Sequence, residues 1–384
     1  MPRDIALYIH VPFCRRKCRY CSFVSYDHRS ADIPSYVSTV KKELKRRAGG
    51  ECVRSIYFGG GTPSLLSAQH IHDLLSAVSS LFAVDRAAEI TIEANPGTVN
   101  REYLAAIRGL GVNRLSLGVQ SLSDRELAML GRIHTAAEAS DAVRQARDAG
   151  FDNLSIDLIY GLPGQAPADW RQTLEEAMAM RPEHLSLYAL TLEEDAPMWQ
   201  DIKEGSLPGV DPDVSADQYE LAEDVLAAAG YRHYEISNWA LPGRECRHNL
   251  TYWRNLPYIG AGVAAHSCLA GHRLGNTTSL DKYLAGPPAP EMDEEISPQL
   301  ELAETVILGL RLCTGIDPDD LHRRFNIDVQ AYYRPQIEAM VDAGLLEQDG
   351  GHLKLTRRGR LLSNEVFWRF LPDEKEASLV IKGS

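Results

Sequence analysis

The sequence predicts an α/β fold: a partial (β/α)6 barrel followed by a C-terminal α+β module of winged-helix type. Up to about residue 193, short runs rich in β-branched and aromatic residues alternate with longer amphipathic stretches. This alternation implies parallel strands joined by crossover helices, which form either a partial barrel or an open doubly wound sheet. From residue 299 onward the pattern changes to helices followed by a hairpin.

Six βα units are predicted in order along the first part of the chain. The strands are expected at Ala6–Val11, Ser55–Phe58, Glu89–Glu93, Arg114–Val119, Leu154–Ile159 and His184–Ala189. Helical periodicity predicts helices at Pro34–Arg47, Ala68–Leu81, Ala136–Ala149 and Asp169–Met180. Polar residues gather where strands end, and in α/β barrels ligands bind at that edge. A single pocket is therefore expected there.

The rest of the chain is predicted to contain two further parts. Residues 213–238 give another helix and a strand-like run at Tyr231–Ile236, which completes a first domain at residues 1–238. Residues 239–298 are punctuated by Pro and Gly and are interpreted as a bridging segment. The pattern of residues 299–384 predicts three helices, a hairpin at Leu345–Leu355 centred on Asp349-Gly350-Gly351, and a final helix.

Composition excludes several classes of protein. The chain has 384 residues and a formal net charge of −13, which argues against a nucleic-acid partner because phosphate contacts need a basic face. Acidic residues also outnumber basic ones in the C-terminal module, so a structural role is expected there rather than DNA binding. No apolar run approaches the roughly 20 residues of a membrane span, and the start resembles no signal peptide, so a cytoplasmic location is expected.

Three of the seven cysteines form the most informative motif. Cys14, Cys18 and Cys21 make a CxxxCxxC triplet, whereas the other four are scattered and do not form a disulfide framework. Three thiolates could hold a cubane iron-sulfur cluster and leave one iron without a protein ligand. The alternatives are coincidence or a zinc site completed by His10, but zinc sites favour paired ligands at other spacings.

The triplet follows Tyr8-Ile-His-Val-Pro-Phe, and here the chain resembles the radical S-adenosylmethionine (SAM) superfamily, in particular its coproporphyrinogen-dehydrogenase-like family. The resemblance extends over most of the chain. It implies a radical SAM barrel in which Cys14, Cys18 and Cys21 hold a [4Fe-4S] cluster, whose open iron binds the amino and carboxylate groups of SAM.

A glycine motif and several strand-end side chains point to the SAM pocket. Gly59-Gly60-Gly61-Thr62 follows a predicted strand, where missing Cβ atoms let a ligand approach the backbone. Carboxylate, amide and guanidinium groups at later strand ends could bind a ribose or a carboxylate. By resemblance, the pocket is lined by Tyr8, Tyr20, Gly60, Gly61, Thr62, Glu93, Gln120, Arg132 and Asp157. No residue is assigned a catalytic role.

Two features separate the branches of this family. Coproporphyrinogen III dehydrogenases carry an extra cysteine two residues after the triplet, where this chain has Phe23. They also carry an N-terminal arm ahead of the tyrosine motif, which in this chain begins at Tyr8. The segment His248-Asn249-Leu250-Thr251-Tyr252-Trp253 resembles the HNxxYW haem-binding motif of the HemW-like haem chaperones. An imidazole can ligate haem iron while aromatic rings pack on a porphyrin. His248, Asn249, Tyr252 and Trp253 are therefore the predicted haem contacts.

The resemblance implies a haem chaperone that carries a [4Fe-4S] cluster and SAM. It also implies that client haemoproteins, with membrane respiratory enzymes as candidates, receive the haem and that the cluster promotes a homodimer. The alternative is an enzyme that uses the 5′-deoxyadenosyl radical on a porphyrin, such as a coproporphyrinogen III dehydrogenase. A radical methylation or cyclopropanation enzyme of a biosynthetic pathway is a third hypothesis.

Overall fold

The computed structural model describes residues 3–287 and 289–372. The strands are β1 Asp4–Val11, β2 Cys52–Gly60, β3 Ala83–Ala94, β4 Arg114–Gln120, β5 Leu154–Tyr160, β6 His184–Ala189, β7 Arg232–Glu235, β8 Asn238–Ala240, β9 Tyr258–Ala261, β10 His266–Leu269, β11 His272–Gly275, β12 Met292–Glu295, β13 Leu346–Asp349 and β14 His352–Leu355. The α-helices are α1 Ile33–Arg47, α2 Ala68–Leu81, α3 Arg101–Gly109, α4 Asp124–Leu130, α5 Ala136–Asp148, α6 Pro167–Ala179, α7 Pro197–Lys203, α8 Pro212–Ala228, α9 Arg247–Trp253, α10 Leu280–Leu284, α11 Pro298–Leu310, α12 Pro318–Phe325, α13 Val329–Tyr332, α14 Arg334–Asp342, α15 Arg357–Leu361 and α16 Ser363–Phe367.

Strands β1 to β6 form the parallel centre of the fold. Each pairs with the next in parallel, from β1 with β2 to β5 with β6. Parallel neighbours need crossover connections, and helices occupy each of these connections. The predicted α/β fold with six βα units is thus confirmed, and the predicted bounds of α2 and β6 match those of the structure.

Local sequence explains why these elements form. Helix α2 begins after Ser67, whose side chain accepts from the backbone N–H of His70 in a capping box. Its buried residues, Ile71, Leu74, Leu75 and Val78, have the i, i+3, i+4, i+7 spacing of one helix face. Burying each such side chain stabilises the fold by roughly 1.5–3 kcal/mol.

Further strands flank the parallel centre on both sides. Residues 6–9 of β1 pair in parallel with Tyr258–Ala261 of β9, and β6 pairs antiparallel with β8. The sequence did not predict β8 to β11, because glycines interrupt the apolar pattern. A Cβ at Gly260 would lie 2.1 Å from the carbonyl oxygen of His266, so this glycine serves the close approach of β9 and β10. The domain boundaries at residues 238 and 298 stay a prediction.

The chain forms two compact units. The first comprises residues up to Arg232, Ser237–His248 and Pro257–Asp293, and the second comprises His233–Ile236, Asn249–Leu256 and the residues from Glu294 onward. The boundary therefore falls inside α9.

The second unit has its own apolar core and the predicted hairpin. Buried side chains of α11, α12 and α14 pack with Leu346, Leu353 and Leu355 of the hairpin β13–β14. Gly350 and Gly351 turn the hairpin at φ values of 58° and 87°, as expected for a two-residue turn that needs positive φ at both positions. The part of the predicted module beyond residue 372 lies outside the described residues. Within them, none of the helices is both long and apolar enough to span a membrane.

Candidate functional site

The three motif cysteines lie in the loop that follows β1. All three are free and partly exposed. The base of the loop is closed by two backbone hydrogen bonds, because Tyr26 donates to the carbonyl of Pro12 at 2.7 Å and Cys14 donates to the carbonyl of Tyr26 at 3.0 Å. Burial raises the pKa of the Cys21 thiol. One short, anchored loop thus presents three sulfur ligands.

His10 anchors the far side of this loop. Its Nε2 lies 3.0 Å from the carbonyl oxygen of Val24, and its Nδ1 lies 3.0 Å from the hydroxyl of Tyr8. Burial lowers the pKa of His10, so the ring is neutral at pH 7 and has one donor and one acceptor. Because a carbonyl can only accept, Nε2 carries the proton and Nδ1 accepts from Tyr8. Both nitrogens of His10, the alternative fourth metal ligand, are thus already hydrogen-bonded, Nε2 to the loop and Nδ1 to Tyr8.

The glycine motif at the end of β2 lies directly beside the cysteine loop. A Cβ on Gly61 would lie 2.8 Å from the carbonyl oxygen of Phe13 and 3.1 Å from Cys14 Sγ. Gly60 has φ +114°, which glycine adopts readily, and a Cβ there would overlap the His10 ring. Gly61 therefore serves the close approach of the cysteine loop, whereas Gly60 serves a positive φ and the packing of the His10 ring.

Arg132 connects the cysteine loop to the strand ends. Its Nη1 donates to Cys18 Sγ at 3.3 Å, and its Nη2 donates to the carbonyl of Gly118 at 2.7 Å and to Asn95 Oδ1. Thr62 donates to Cys14 Sγ at 3.6 Å and accepts from Asn95 at 3.0 Å. Burial raises the pKa of the neighbouring Tyr20, which is also hydrogen-bonded to Arg132. A cavity lies beside Cys18 and Arg132. Its lining residues are Arg15, Arg16, Cys18, Thr62, Asn95, Thr98, Gly131, Arg132 and Ile133.

The remaining predicted SAM residues line the inner face of the sheet. Tyr8, Glu93, Gln120 and Asp157 are partly exposed, although the neighbouring residues of their strands are mostly buried. Successive residues of a strand alternate between faces, so these side chains border a solvent-reached space inside the barrel. A Cβ at Gly118 would lie 2.9 Å from Gln120 Nε2, so glycine also keeps part of this space open.

Two carboxylates in this space are held by donors. Glu93 accepts from the Tyr57 hydroxyl at 2.8 Å and from the Gly60 backbone N–H at 3.2 Å. Burial raises the pKa of Glu93 to about 7 despite these donors. Asp157 accepts from the Ser116 hydroxyl at 3.1 Å, and burial raises the pKa of its carboxyl group as well. Glu93 therefore changes charge near neutral pH.

This donor set fits an iron-sulfur cluster with SAM beside it. Three thiols on one loop leave one iron of a cubane free, and the Gly61 backbone lies next to Cys14. Arg132 and Glu93 offer a guanidinium and a carboxylate on the adjoining inner face. Within the described ranges, no group of three His, Cys, Asp or Glu side chains has the geometry of a single-ion site.

His248, the predicted haem ligand, lies inside the first unit rather than on its surface. The residue is 1% exposed, Nδ1 lies 2.9 Å from Ser55 Oγ, and the backbone N–H donates to Glu89 at 3.2 Å. The ring stacks on Tyr57 with 4.9 Å between centroids and 28° between planes. Burial, with a smaller contribution from Arg114, lowers the pKa of His248 to about 3, so the imidazole is neutral.

The other predicted haem contacts lie in the second unit. Asn249, Tyr252 and Trp253 are partly exposed. The guanidinium of Arg311 lies 4.2 Å from the centroid of a Trp253 ring and also pairs with Glu235 at 3.4 Å. Arg311, Ser55 and Tyr57 were not predicted as site residues, because nothing in the local sequence around them marks their contact with the motif.

Comparison with known proteins identifies the family. Residues 8–177 match the radical SAM superfamily model, and residues 296–362 match the model of the HemN C-terminal domain. The chain is 37% identical to the heme chaperone HemW of Lactococcus lactis subsp. lactis (strain IL1403), over 96% of this chain and 97% of the relative. It is 35% identical to the heme chaperone HemW of Escherichia coli (strain K12), over 96% of this chain and 98% of the relative.

A solved structure supports the fold. The radical SAM enzyme coproporphyrinogen III oxidase (HemN) from Escherichia coli superposes with a TM-score of 0.84 over 96% of this chain and 90% of that protein, at 24% sequence identity. The likeness extends through both the barrel and the C-terminal module. Together with the cysteine loop, the glycine motif and the near full-length identity to its relatives, this shows that the chain belongs to the heme chaperone HemW family of the radical SAM superfamily.

Proposed function

We propose that this chain binds haem and delivers it to client haemoproteins, while a [4Fe-4S] cluster and SAM occupy the barrel. The observation that carries the proposal is near full-length identity to relatives named heme chaperones, in a chain that retains the HNxxYW motif. The exposed Phe23, at the position of the extra cysteine of the dehydrogenases, favours this function over decarboxylation.

Cys14, Cys18 and Cys21 would hold the cluster. When bound, the cluster offers one iron to the amino and carboxylate groups of SAM. Gly60 and Gly61 belong to the proposed SAM pocket and bring the end of β2 against His10 and the cysteine loop. The guanidinium of Arg132, within 3.3 Å of Cys18 Sγ, would bind a carboxylate. The remaining predicted SAM residues, Tyr8, Tyr20, Thr62, Glu93, Gln120 and Asp157, belong to the same proposed pocket.

Haem contact through His248 requires a local rearrangement. Because the imidazole is buried and bonded to Ser55, it can reach haem iron only when the first turn of α9 leaves the interior of the first unit. Asn249, Tyr252 and Trp253 follow on the same helix and would contact the porphyrin from there. The apparent affinity for haem then includes the cost of this opening.

An anaerobic haem titration of the reconstituted chain tests the proposal. We expect His248→Ala to weaken haem binding by at least about tenfold, which corresponds to 1.4 kcal/mol. His184→Ala is the matched control, since His184 is also fully buried and lies 2.8 Å from a serine hydroxyl, in its case that of Ser155. Equal haem affinity in wild type and His248→Ala would refute the proposed site, and no haem binding by wild type would refute the chaperone function.

Delivery and assembly need separate measurements. Haem transfer to an apo-haemoprotein can be followed by absorbance, with free haem as the reference. Sedimentation with and without the cluster tests the expected homodimer. If the cluster-loaded chain instead forms 5′-deoxyadenosine and decarboxylated porphyrin in proportion to turnover, the dehydrogenase alternative is correct.

A further inference from the structure

Tyr57 touches both proposed binding regions inside the first unit. It lies on β2, and its ring stacks on His248 at 4.9 Å between centroids. Its hydroxyl donates to Glu93 Oε1 at 2.8 Å, while Glu93 Oε2 accepts from the backbone N–H of Gly60 at 3.2 Å. One side chain therefore joins the imidazole proposed to bind haem to the carboxylate proposed to face SAM.

The orientation of Tyr57 depends on its ring neighbours. The rings of Tyr8, Tyr57 and His248 form a triangle, with centroid distances of 6.2 Å between the two tyrosines and 6.3 Å between Tyr8 and His248. A Cβ at Gly59 would lie 2.9 Å from atoms of both tyrosine rings, so these rings lie close against the strand. Packed rings occupy discrete orientations, and removal of one member leaves the others free to turn.

Withdrawal of His248 would break this triangle. Once the imidazole leaves, the Tyr57 ring loses its nearest ring neighbour, and its hydroxyl is no longer held toward Glu93. Glu93 would then keep the hydrogen bond from the Gly60 backbone N–H but lose the one from the Tyr57 hydroxyl. Burial already raises the pKa of Glu93 to about 7, so loss of a donor further disfavours its charged form.

We propose that Tyr57 is a positioning residue through which His248 holds Glu93 in place, so that haem binding and SAM binding oppose each other. The inference rests on the proposed contact between His248 and haem. By thermodynamic linkage, if haem weakens SAM binding by a given factor, SAM weakens haem binding by the same factor. SAM would thus favour haem release.

SAM affinity measured by equilibrium dialysis tests the proposal on the full, cluster-reconstituted chain without oxygen. In wild type we expect bound haem to weaken SAM binding by roughly five- to a hundredfold. Tyr57→Phe keeps the ring and removes the hydroxyl, so SAM should bind more weakly without haem, and haem should cause no further change. Tyr231→Phe is the matched control, since its hydroxyl donates elsewhere in the unit, to the Pro182 carbonyl at 2.6 Å.

A purely structural role for Tyr57 would lower SAM affinity but leave the effect of haem intact, and that result would overturn the proposal. So would equal SAM affinity in haem-free and haem-loaded wild type. His248→Ala without haem separates this inference from the proposed haem site, because it should weaken SAM binding as much as Tyr57→Phe does. The double variant should be no weaker than either single variant. Unchanged SAM affinity in His248→Ala refutes the link even where haem binding itself is confirmed.

Discussion

Ser55 Oγ lies 2.9 Å from His248 Nδ1, and this hydrogen bond joins β2 to the first turn of α9 in a fully buried site. Since neither group reaches bulk water, the bond stabilises the buried position of the imidazole. Breaking it by removing one partner costs more than its net contribution, because the other partner stays buried without that bond.

Ser55→Ala is therefore expected to increase haem affinity. It destabilises the buried state of His248 by about 1–3 kcal/mol, which lowers the cost of opening by the same amount. Anaerobic haem titration should show roughly 5- to 150-fold tighter binding in this variant. Ser80→Ala, on the exposed face of α2, is the control. Weaker haem binding in Ser55→Ala would mean that the imidazole binds haem from its buried position.

Acid should destabilise the protein through His248. Its pKa is about 3 when folded and 6.5 in the reference state, so the unfolded chain binds the proton first as the pH falls. The free energy of unfolding therefore decreases between pH 6.5 and pH 3, by up to about 1.4 kcal/mol per pH unit for this group. Urea unfolding of the apo-protein from neutral pH to about pH 4 should show a flatter dependence in His248→Gln than in wild type. His72→Gln, whose ring is exposed on α2, should follow wild type.

Gly61→Ala should impair cluster assembly. The added methyl would lie 2.8 Å from the carbonyl oxygen of Phe13 and 3.1 Å from Cys14 Sγ, so the cysteine loop must move. We expect the iron and sulfide retained after reconstitution to fall by at least half, as an order-of-magnitude expectation for a displaced ligand. Gly109→Ala at the end of α3 meets nothing within 4 Å and should reconstitute as wild type does. Full iron content in Gly61→Ala would show that the loop tolerates the shift.

Arg311→Met should destabilise the second unit. Arg311 stacks on Trp253 and pairs with Glu235, whose side chain has no exposure. Removing one partner of a buried ion pair costs about 3–5 kcal/mol because the remaining charge stays in a poorly solvated site. Limited proteolysis should cleave the second unit faster in this variant. Arg323→Met, which breaks an exposed pair with Asp320, should leave the cleavage rate near that of wild type.

The features that could be predicted from the sequence are those that depend on local residue patterns. Strand and helix periodicities placed the six βα units, and the cysteines and the Gly60–Thr62 motif meet because loops that follow parallel strands share one edge. The burial of His248 could not be predicted, since its partner Ser55 lies 193 residues away and only the tertiary fold brings them together. Strands β9 and β10 were not predicted for a related reason. In the sequence Gly260 indicates the end of a strand, whereas in the structure it allows β9 and β10 to pack closely.

The pairing of β1 with β9 has a consequence for synthesis of the chain. β1 can pair with β2 early, but its other edge has no β-strand partner until residues near Tyr258 leave the ribosome. About 200 residues separate these events, which at roughly 5–20 residues per second is on the order of 10–40 s. During that interval an apolar strand edge lies beside the free thiols of Cys14, Cys18 and Cys21. Oxidative stress during synthesis should therefore favour aggregated or disulfide-linked nascent chains.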